Sequence, residues 1–595
     1  MRRIPSVLLI LAAVALGDCR AGAADSGVAW RDFSDTIFAE AKRDNRFVVL
    51  YLKAVWCHWC HVMEATTYKD ADVLAEMAQH YIAVRVDQDS RPDLSLRYED
   101  WGWPATIIFG PDGTEIAKLR GYRAPEKFLA ILKDVVADPS PVNYGDKPGE
   151  TETSPGTALP AGRRAALETE FRSFYDAENG GWGIFNKFMD AQAMEYALAL
   201  AKRSGAARGD GDAERMARQT LAQSFNLIDP AWGGVYQYSD KVDWKSPHYE
   251  KIMSIQSSHL TLYSLAHAQW GESQHREAAA KVYRYLVTFL GSQRGAFYTS
   301  QDSDSVQGDH GHEFFALDDA GRRLKPMPRI DTNIYARENG WAIAALAAYH
   351  DATGEREALA RAVAAATWIA DNRMVADSGF THGEADKNGP FLGDTLAMGQ
   401  AFLALYRSTS DRAWLERAAR AAGFIEQYFV DAATGGWFAS ANSGVLGKPV
   451  KSRDENIAAV RFFNLLFQYS GDARWRRAAE RGFGYLASPA VVEALDFLPG
   501  VLLAERELQR EPVHITIVGG KRDAAAENLY RAALTYPAAY KRAEWWDRTE
   551  GKLPNHDVEY PDLGEAAAFA CSNRICSLPV FDAKDLAGAV DRLYR

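Results

Sequence analysis

The run Cys57-His58-Trp59-Cys60 carries the most specific chemistry in the sequence. Two cysteines with two residues between them can cycle between dithiol and disulfide. At the start of a helix, unpaired N–H groups and the helix dipole favour a thiolate on the first of them. A protonated His58 adds to that effect. Cys57 is therefore the expected attacking thiol, and Cys60 the one that resolves the mixed disulfide. Two other readings compete. A zinc site would draw on Cys57, Cys60, His58 and His61, or on the distant Cys571 and Cys576, but neighbours on one short loop rarely converge on a tetrahedron. A structural disulfide is disfavoured because small-loop pairs in this layout are usually labile. Neither metal nor cofactor is expected, and His61 alone reads as a capping or packing residue.

The elements around the pair fit the redox reading. Residues 47–52 (FVVLYL) have a buried-strand pattern and lead straight into the pair. An opening helix is expected over 30–43 and a second over 62–79. Strands follow at 81–86, 105–109 and 114–119, with a closing helix at 125–136. This order, with the Cys-x-x-Cys between the first main strand and its helix, is the thioredoxin layout. Trp103-Pro104 stands just before the third strand, where such domains place a cis-proline beside the disulfide.

Beyond a Pro/Gly/Ser/Thr-rich linker, strand patterns become scarce. Amphipathic helices are expected at 161–175, 190–203, 210–228, 253–270, 272–293, 337–352, 354–374, 393–409, 411–430, 454–470, 472–487 and 489–509. Between helix pairs a glycine-aromatic phrase recurs, as in Gly180-Gly181-Trp182 and Gly435-Gly436-Trp437. Repeated helical hairpins of this kind predict an (α/α)6 toroid. Its loops carry polar clusters: His248, Glu250 and Lys251; Asp302 and Asp304, with Gly311-His312-Glu313 following; and Asp331-Thr332-Asn333 with Glu338 and Asn339. Paired carboxylates can serve glycosidic cleavage, and a histidine can serve epimerisation. The same residues can equally cap helices or form ion pairs, and the loop aromatics are better read as end plugs than as sugar platforms.

A small α/β module is expected from about residue 512, with a strand at 513–518, a helix at 524–534 and a closing helix at 583–594. Cys571 and Cys576 there form either a second redox pair, exchanging with Cys57 and Cys60, or a plain stabilising bridge; the bridge is favoured. The first residues read as a secretory signal: Arg2-Arg3, an apolar run to Gly17, then small residues to Ala24. Lipidation at Cys19 is the lesser alternative, because Asp18 precedes it. A net charge of −11 argues against nucleic-acid binding. The chain thus divides into a signal peptide (1–24), a thioredoxin-like domain (25–138), a linker (139–162), a toroid (163–511) and a C-terminal module (512–595).

The sequence resembles the thioredoxin-like proteins related to the spermatogenesis-associated family. Cys57-His58-Trp59-Cys60-His61-Val62-Met63-Glu64 is similar to that family's signature. Pro247 to Lys251, Gln301 to Ser305, Asn339 to Ala347, and Cys571 to Val580 resemble its further boxes. Gly121-Tyr122-Arg123 departs from its usual Gly-Gly-Thr-Tyr-Phe-Pro. The resemblance implies a thioredoxin fold joined to a six-hairpin toroid. The combined expectation is a periplasmic or secreted thiol–disulfide oxidoreductase without a membrane span after signal cleavage. Its catalytic residues would be Cys57, Cys60, His58, Trp103 and Pro104, acting on a protein thiol or disulfide client. The alternative is a carbohydrate-active toroid, hydrolase or epimerase, with a carbohydrate ligand at His248, Glu250, Lys251, Asp302, Asp304 and Asn339.

Overall fold

Alternation along Phe47–Lys53 sends Val49 and Tyr51 to one face of a sheet and Val48, Leu50 and Leu52 to the other, all buried. That strand, β1, is central in a computed structural model that describes residues 27–144, 156–202, 210–384, 386, 388–494 and 497–594. The expected signal segment, Cys19 and much of the expected linker lie outside the described residues. β1 pairs in parallel with β2 (Tyr81–Asp87) and antiparallel with β3 (Ala105–Phe109), which pairs antiparallel with β4 (Glu115–Arg120). Helices α1 (Ile37–Asp44), α2 (His58–Ala65), α3 (Ala71–His80) and α4 (Pro125–Ala137) cover this sheet. The Trp103–Pro104 peptide is cis.

Two expected helices are shorter than their sequence pattern. The span 62–79 is interrupted because Asp70 accepts from the N–H groups of Asp72 and Val73 and starts α3 afresh. Before α1 the chain is extended, and Arg31 exchanges backbone hydrogen bonds with Ala83 and Arg85 beside β2.

The middle of the chain is a closed double ring of helices. The inner ring is α6 (Ala191–Ala201), α8 (Met253–Trp270), α10 (Ala336–Thr353), α12 (Leu392–Thr409), α14 (Arg453–Ser470) and α16 (Pro499–Gln509). Each packs against the next, and α16 returns to α6. Outside them lie α5 (Ala161–Ser173), α7 (Gly211–Ser224), α9 (Ser273–Tyr285), α11 (Arg356–Arg373), α13 (Arg412–Tyr428) and α15 (Ala473–Leu486). This is the expected (α/α)6 toroid, save that the span 489–509 divides into Pro489–Val492 and α16. Small residues let the inner helices close up: a Cβ on Gly340 of α10 would lie 2.5 Å from the carbonyl carbon of Ala397 in α12.

The C-terminal module repeats the topology of the first sheet. β5 (Val513–Val518) pairs in parallel with β6 (Lys541–Trp546) across α17 (Ala524–Thr535). β7 (Ala567–Ser572) lies antiparallel on the other side of β5 and forms a hairpin with β8 (Ile575–Cys576), before α18 (Ala583–Leu593). The order β6-β5-β7-β8 matches β2-β1-β3-β4. The two sheets sit at opposite ends of the ring. The thioredoxin-like region meets the loops before the inner helices, through Asp304, His382 and Lys448. The C-terminal module meets the far ends of the inner helices, where Tyr406 donates to Glu544 and Tyr469 to the carbonyl of Lys541. Among the described residues, no helix is long and apolar enough to cross a membrane.

Candidate functional site at the joint between the redox pair and the ring

β1 ends at Lys53 and delivers Cys57 to the N-cap of α2. Cys57 and Cys60 form a disulfide, and Cys57 Sγ accepts from the Cys60 N–H at 3.1 Å. The pair is buried: Cys57 is 4% exposed and Cys60 not at all, whereas Trp59 is 43% exposed and leans on Tyr122. Trp103 packs against both cores of the sheet.

The first turn of α2 also carries His58 and His61, both buried against the ring. His58 Nδ1 donates to Asp304 Oδ1 at 2.9 Å, and His61 Nδ1 donates to Asp304 Oδ2 at 3.0 Å. Asp304 also accepts from Ser303 and from the N–H of Gly308. Burial opposes its charge, but the hydrogen bonds from His58 and His61 hold its carboxyl well below the usual range. Asp302 lies next to it with Oδ2 3.7 Å from His61 Nε2. Burial lifts the Asp302 carboxyl to about 7, against the pull of His61. His310 continues the cluster, its ring 4.9 Å from that of His58 and 5.8 Å from that of His248. His248 is held by Asp240 at 2.8 Å and faces Glu250 at 3.7 Å.

Of the six expected toroid residues, Asp302 and Asp304 therefore meet the histidines of α2, and His248 and Glu250 join them through His310. The other two are structural. Lys251 is wholly buried and donates to Asp229, at 2.6 Å, and to the carbonyl of Gly233, and Asp229 is shared with Arg322. Asn339 clamps an aromatic loop: its Oδ1 accepts from the N–H of Phe297 and its Nδ2 donates to the carbonyl of Phe297. Asn456 does the same for Trp437. The loop aromatics thus plug the ends of helix pairs, as expected for most of them.

The expected clusters left out His310, and of a second buried group in the joint they held only Asp331 and Glu338. The end of β2 inserts Asp87 and Asp89 into the mouth of the ring, where Trp56 donates to Asp89 and His382 Nε2 donates to the Asp89 carbonyl. Around them stand Asp331, Glu338, Asp394 and Glu455, each with one buried carboxylate oxygen lacking a hydrogen-bond partner. Burial pushes Asp87 up to about 6 and Glu455 to about 8.

Cys571 and Cys576 face each other across the β7–β8 hairpin and are also disulfide-bonded. They stand at the far end of the ring. Inner helices of 18 residues, about 27 Å at 1.5 Å per residue, separate the two ends. The arrangement does not bring the two pairs together.

Residues 21–135 match the family Thioredox_DsbH, described as a protein of unknown function, DUF255. Thioredoxin H4-1 of Oryza sativa subsp. japonica is 33% identical over 105 residues, which cover 17% of this chain and 74% of the rice protein. Human spermatogenesis-associated protein 20 is 20% identical over 710 residues, covering 94% of this chain and 89% of the human one. This chain belongs to the thioredoxin-like family, and along nearly its whole length it is a relative of spermatogenesis-associated protein 20. A solved D-mannose isomerase resembles the ring with a TM-score of 0.44 and 13% identity, over 59% of this chain and 99% of that one. Within this thioredoxin-like chain, the helix that carries the Cys57–Cys60 disulfide is built into an interface with the ring.

Proposed function

We propose that this protein is an exported thiol–disulfide oxidoreductase whose Cys57–Cys60 pair works at the joint with the helical ring. One observation carries the reading: Cys57 caps α2 and accepts from the Cys60 N–H, while two imidazoles of the same turn share one carboxylate of the ring. In the reduced protein, the Cys57 thiolate attacks one sulfur of a client disulfide and expels the other as a thiol after protonation. Cys60, losing its proton, then attacks Cys57 Sγ and releases the second client thiol. Two electrons pass to the client, and Cys57–Cys60 is left oxidised; run in reverse, the cycle oxidises a dithiol. The exposed side chain beside the pair is Trp59, which leans on the half-buried Tyr122, and a client is expected to approach there. The test is the reduction potential and disulfide-exchange rate of the mature protein beside Cys57→Ser. A potential near about −270 mV marks a reductant and one near about −120 mV an oxidant. Exchange that survives Cys57→Ser sinks the reading.

A second reading has its own observation. The unpartnered carboxylate oxygens of Asp331, Glu338, Asp394 and Glu455, with His382 held by Asp394, make a cluster of acid–base groups suited to a carbohydrate-active enzyme. It predicts sugar binding that Glu338→Gln abolishes. No binding across a broad sugar panel, in either redox state, removes it.

A further inference from the structure

At the end of the ring that meets the C-terminal module, the last turns of α6 and α16 border a cavity of about 170 Å3. Its walls are largely apolar: Leu198 of α6, Leu265 of α8 and Leu503 of α16 on the ring side, and Val513, Tyr536 and Tyr540 on the module side. An apolar cavity of about 150 Å3 is large enough to take up benzene. The space therefore suits one small apolar body.

Three cations line the same space: Lys202 at the end of α6, Arg506 in the last turn of α16, and Arg510 just beyond it. Among the described residues, none of the three forms an ion pair. Lys202 Nζ is buried and has no hydrogen-bond partner. It lies 3.9 Å from the centre of the Tyr536 ring, a cation–π contact that offsets part of the cost of burial. Burial pushes its amine down to about 7, against the pull of Asp591. Arg506 donates to the carbonyl of Ala199 at 3.3 Å, while burial and the like charge of Arg510 both work against its guanidinium. The carboxylates of the lining are engaged elsewhere. Glu195 and Glu507 hold Arg461, Asp591 accepts from the Tyr536 hydroxyl at 2.7 Å, and Glu511 accepts from the N–H of Asn573 at 2.7 Å. The carbonyl ends of α6 and α16 favour nearby cations, yet they accept nothing from Lys202. A buried ammonium without an acceptor is costly unless an anion completes it.

We propose that this cavity binds a small monocarboxylate, its head group taken by Lys202 and Arg506 and its apolar body by the leucines and Tyr536. One anionic head answers the two cations, and the apolar walls favour a ligand that brings a body to bury over an inorganic anion that brings charge alone. A ligand there touches both the ring and the C-terminal module, so its binding stabilises their contact. The site stands apart from the redox pair and from the carboxylates at the mouth of the ring, and it holds whichever of their readings is right.

The experiment titrates the full mature chain by calorimetry with benzoate and hexanoate, beside their neutral amides and inorganic phosphate. At least one of the two carboxylates should bind one-to-one with a dissociation constant below about 1 mM. Its amide should bind at least about tenfold more weakly, and phosphate at equal concentration should not displace it. Lys202→Met and Arg506→Met, which keep an apolar stem, should each weaken the carboxylate by more than about tenfold. Lys202→Met removes a buried charge that lacks an acceptor, so its unfolding midpoint should be no lower than that of the wild type, and lost binding there is not lost folding. The carboxylate should raise the midpoint of the wild type but of neither variant, whose folding is checked by circular dichroism. Binding of neither carboxylate, equal affinity for the amides, displacement by phosphate, or undiminished affinity in the folded variants would each overturn the proposal.

Discussion

Asp304 accepts a hydrogen bond at 2.9 Å from His58, 246 residues before it in the chain, within the first turn of the redox helix. The same carboxylate takes His61 on its other oxygen, so a single side chain of the ring holds two histidines of the thioredoxin-like region. Hydrogen bonds to charged groups are worth about 1.5–3 kcal/mol each. Asp304→Ala should therefore cost about 3 kcal/mol in denaturant unfolding, and Asp304→Asn, which keeps one acceptor, about half of that. Limited proteolysis should then cut between the two regions before either is degraded. Unchanged stability in both variants would mean that the rest of the interface suffices.

The mouth of the ring should loosen as pH rises. Burial lifts Asp87 to about 6 and Glu455 to about 8, and also raises Asp331 and Asp394. Each of these carboxyls keeps its proton in the folded state to a higher pH than in the unfolded chain. The folded state thus binds more protons, and stability falls between about pH 4 and 8. His382 works in the same direction. Burial opposes its charge, but Asp394 raises it, so its contribution is complete below about 6.5 and is lost above the folded value. The unfolding midpoint should fall from pH 5 to pH 8. Glu455→Gln should flatten the upper part of that slope and exceed the wild type at pH 8.5 by up to a few kcal/mol, at about 1.4 kcal/mol per unit. A midpoint that rises with pH contradicts this account.

The ring was legible in the sequence because its inner helices are apolar over long stretches and each hairpin is closed by glycine and an aromatic. The setting of the Cys57–Cys60 disulfide was legible because its strand and helix lie beside it in the chain. β6 was not. Its Lys541, Arg542 and Glu544 are buried, but they are satisfied by carbonyls, by Asp557 and by Tyr406, so the strand lacks the apolar alternation that marks a half-buried one. The joint was legible only in pieces. His248, Glu250, Asp302 and Asp304 stood out as polar residues in an apolar background, yet nothing local tied them to His58 and His61. Asp87 ends a strand and His382 follows a glycine-aromatic loop, both ordinary positions for a polar residue. Their meeting depends on how the first region docks on the ring, which no local pattern encodes.

Gly340 gives a test of the inner ring that leaves the chemistry aside. In Gly340→Ala the new Cβ meets the backbone carbonyl carbon of Ala397 at 2.5 Å and its Cβ at 2.7 Å. Alanine gains about 1 kcal/mol of helix propensity, while overpacking against backbone costs about 1–3 kcal/mol or more. Because the contact is with backbone, the net loss should lie at the upper end of the difference, up to about 2 kcal/mol in urea unfolding. Gly423→Ala in the outer helix α13 is the control. Nothing lies within 4 Å of that position, so the same propensity gain should appear there unopposed.

The Cys571–Cys576 bridge should be structural. It joins residues that already face each other across the β7–β8 hairpin, whose turn residues Asn573 and Arg574 both have positive φ. It lies beyond the far ends of inner helices about 27 Å long, away from Cys57. Replacing both cysteines by serine should leave the potential of the Cys57–Cys60 pair within about 10 mV, well under the 29.6 mV that marks a tenfold change in equilibrium. The hairpin itself should loosen, because a short closed loop restricts the unfolded chain by about 2 kcal/mol. Hydrogen exchange should report that loss in β7 and β8, with the first sheet unchanged. A shifted potential, or a mixed disulfide between the two pairs trapped in Cys60→Ser, would restore the relay and require the thioredoxin-like region to leave its seat on the ring.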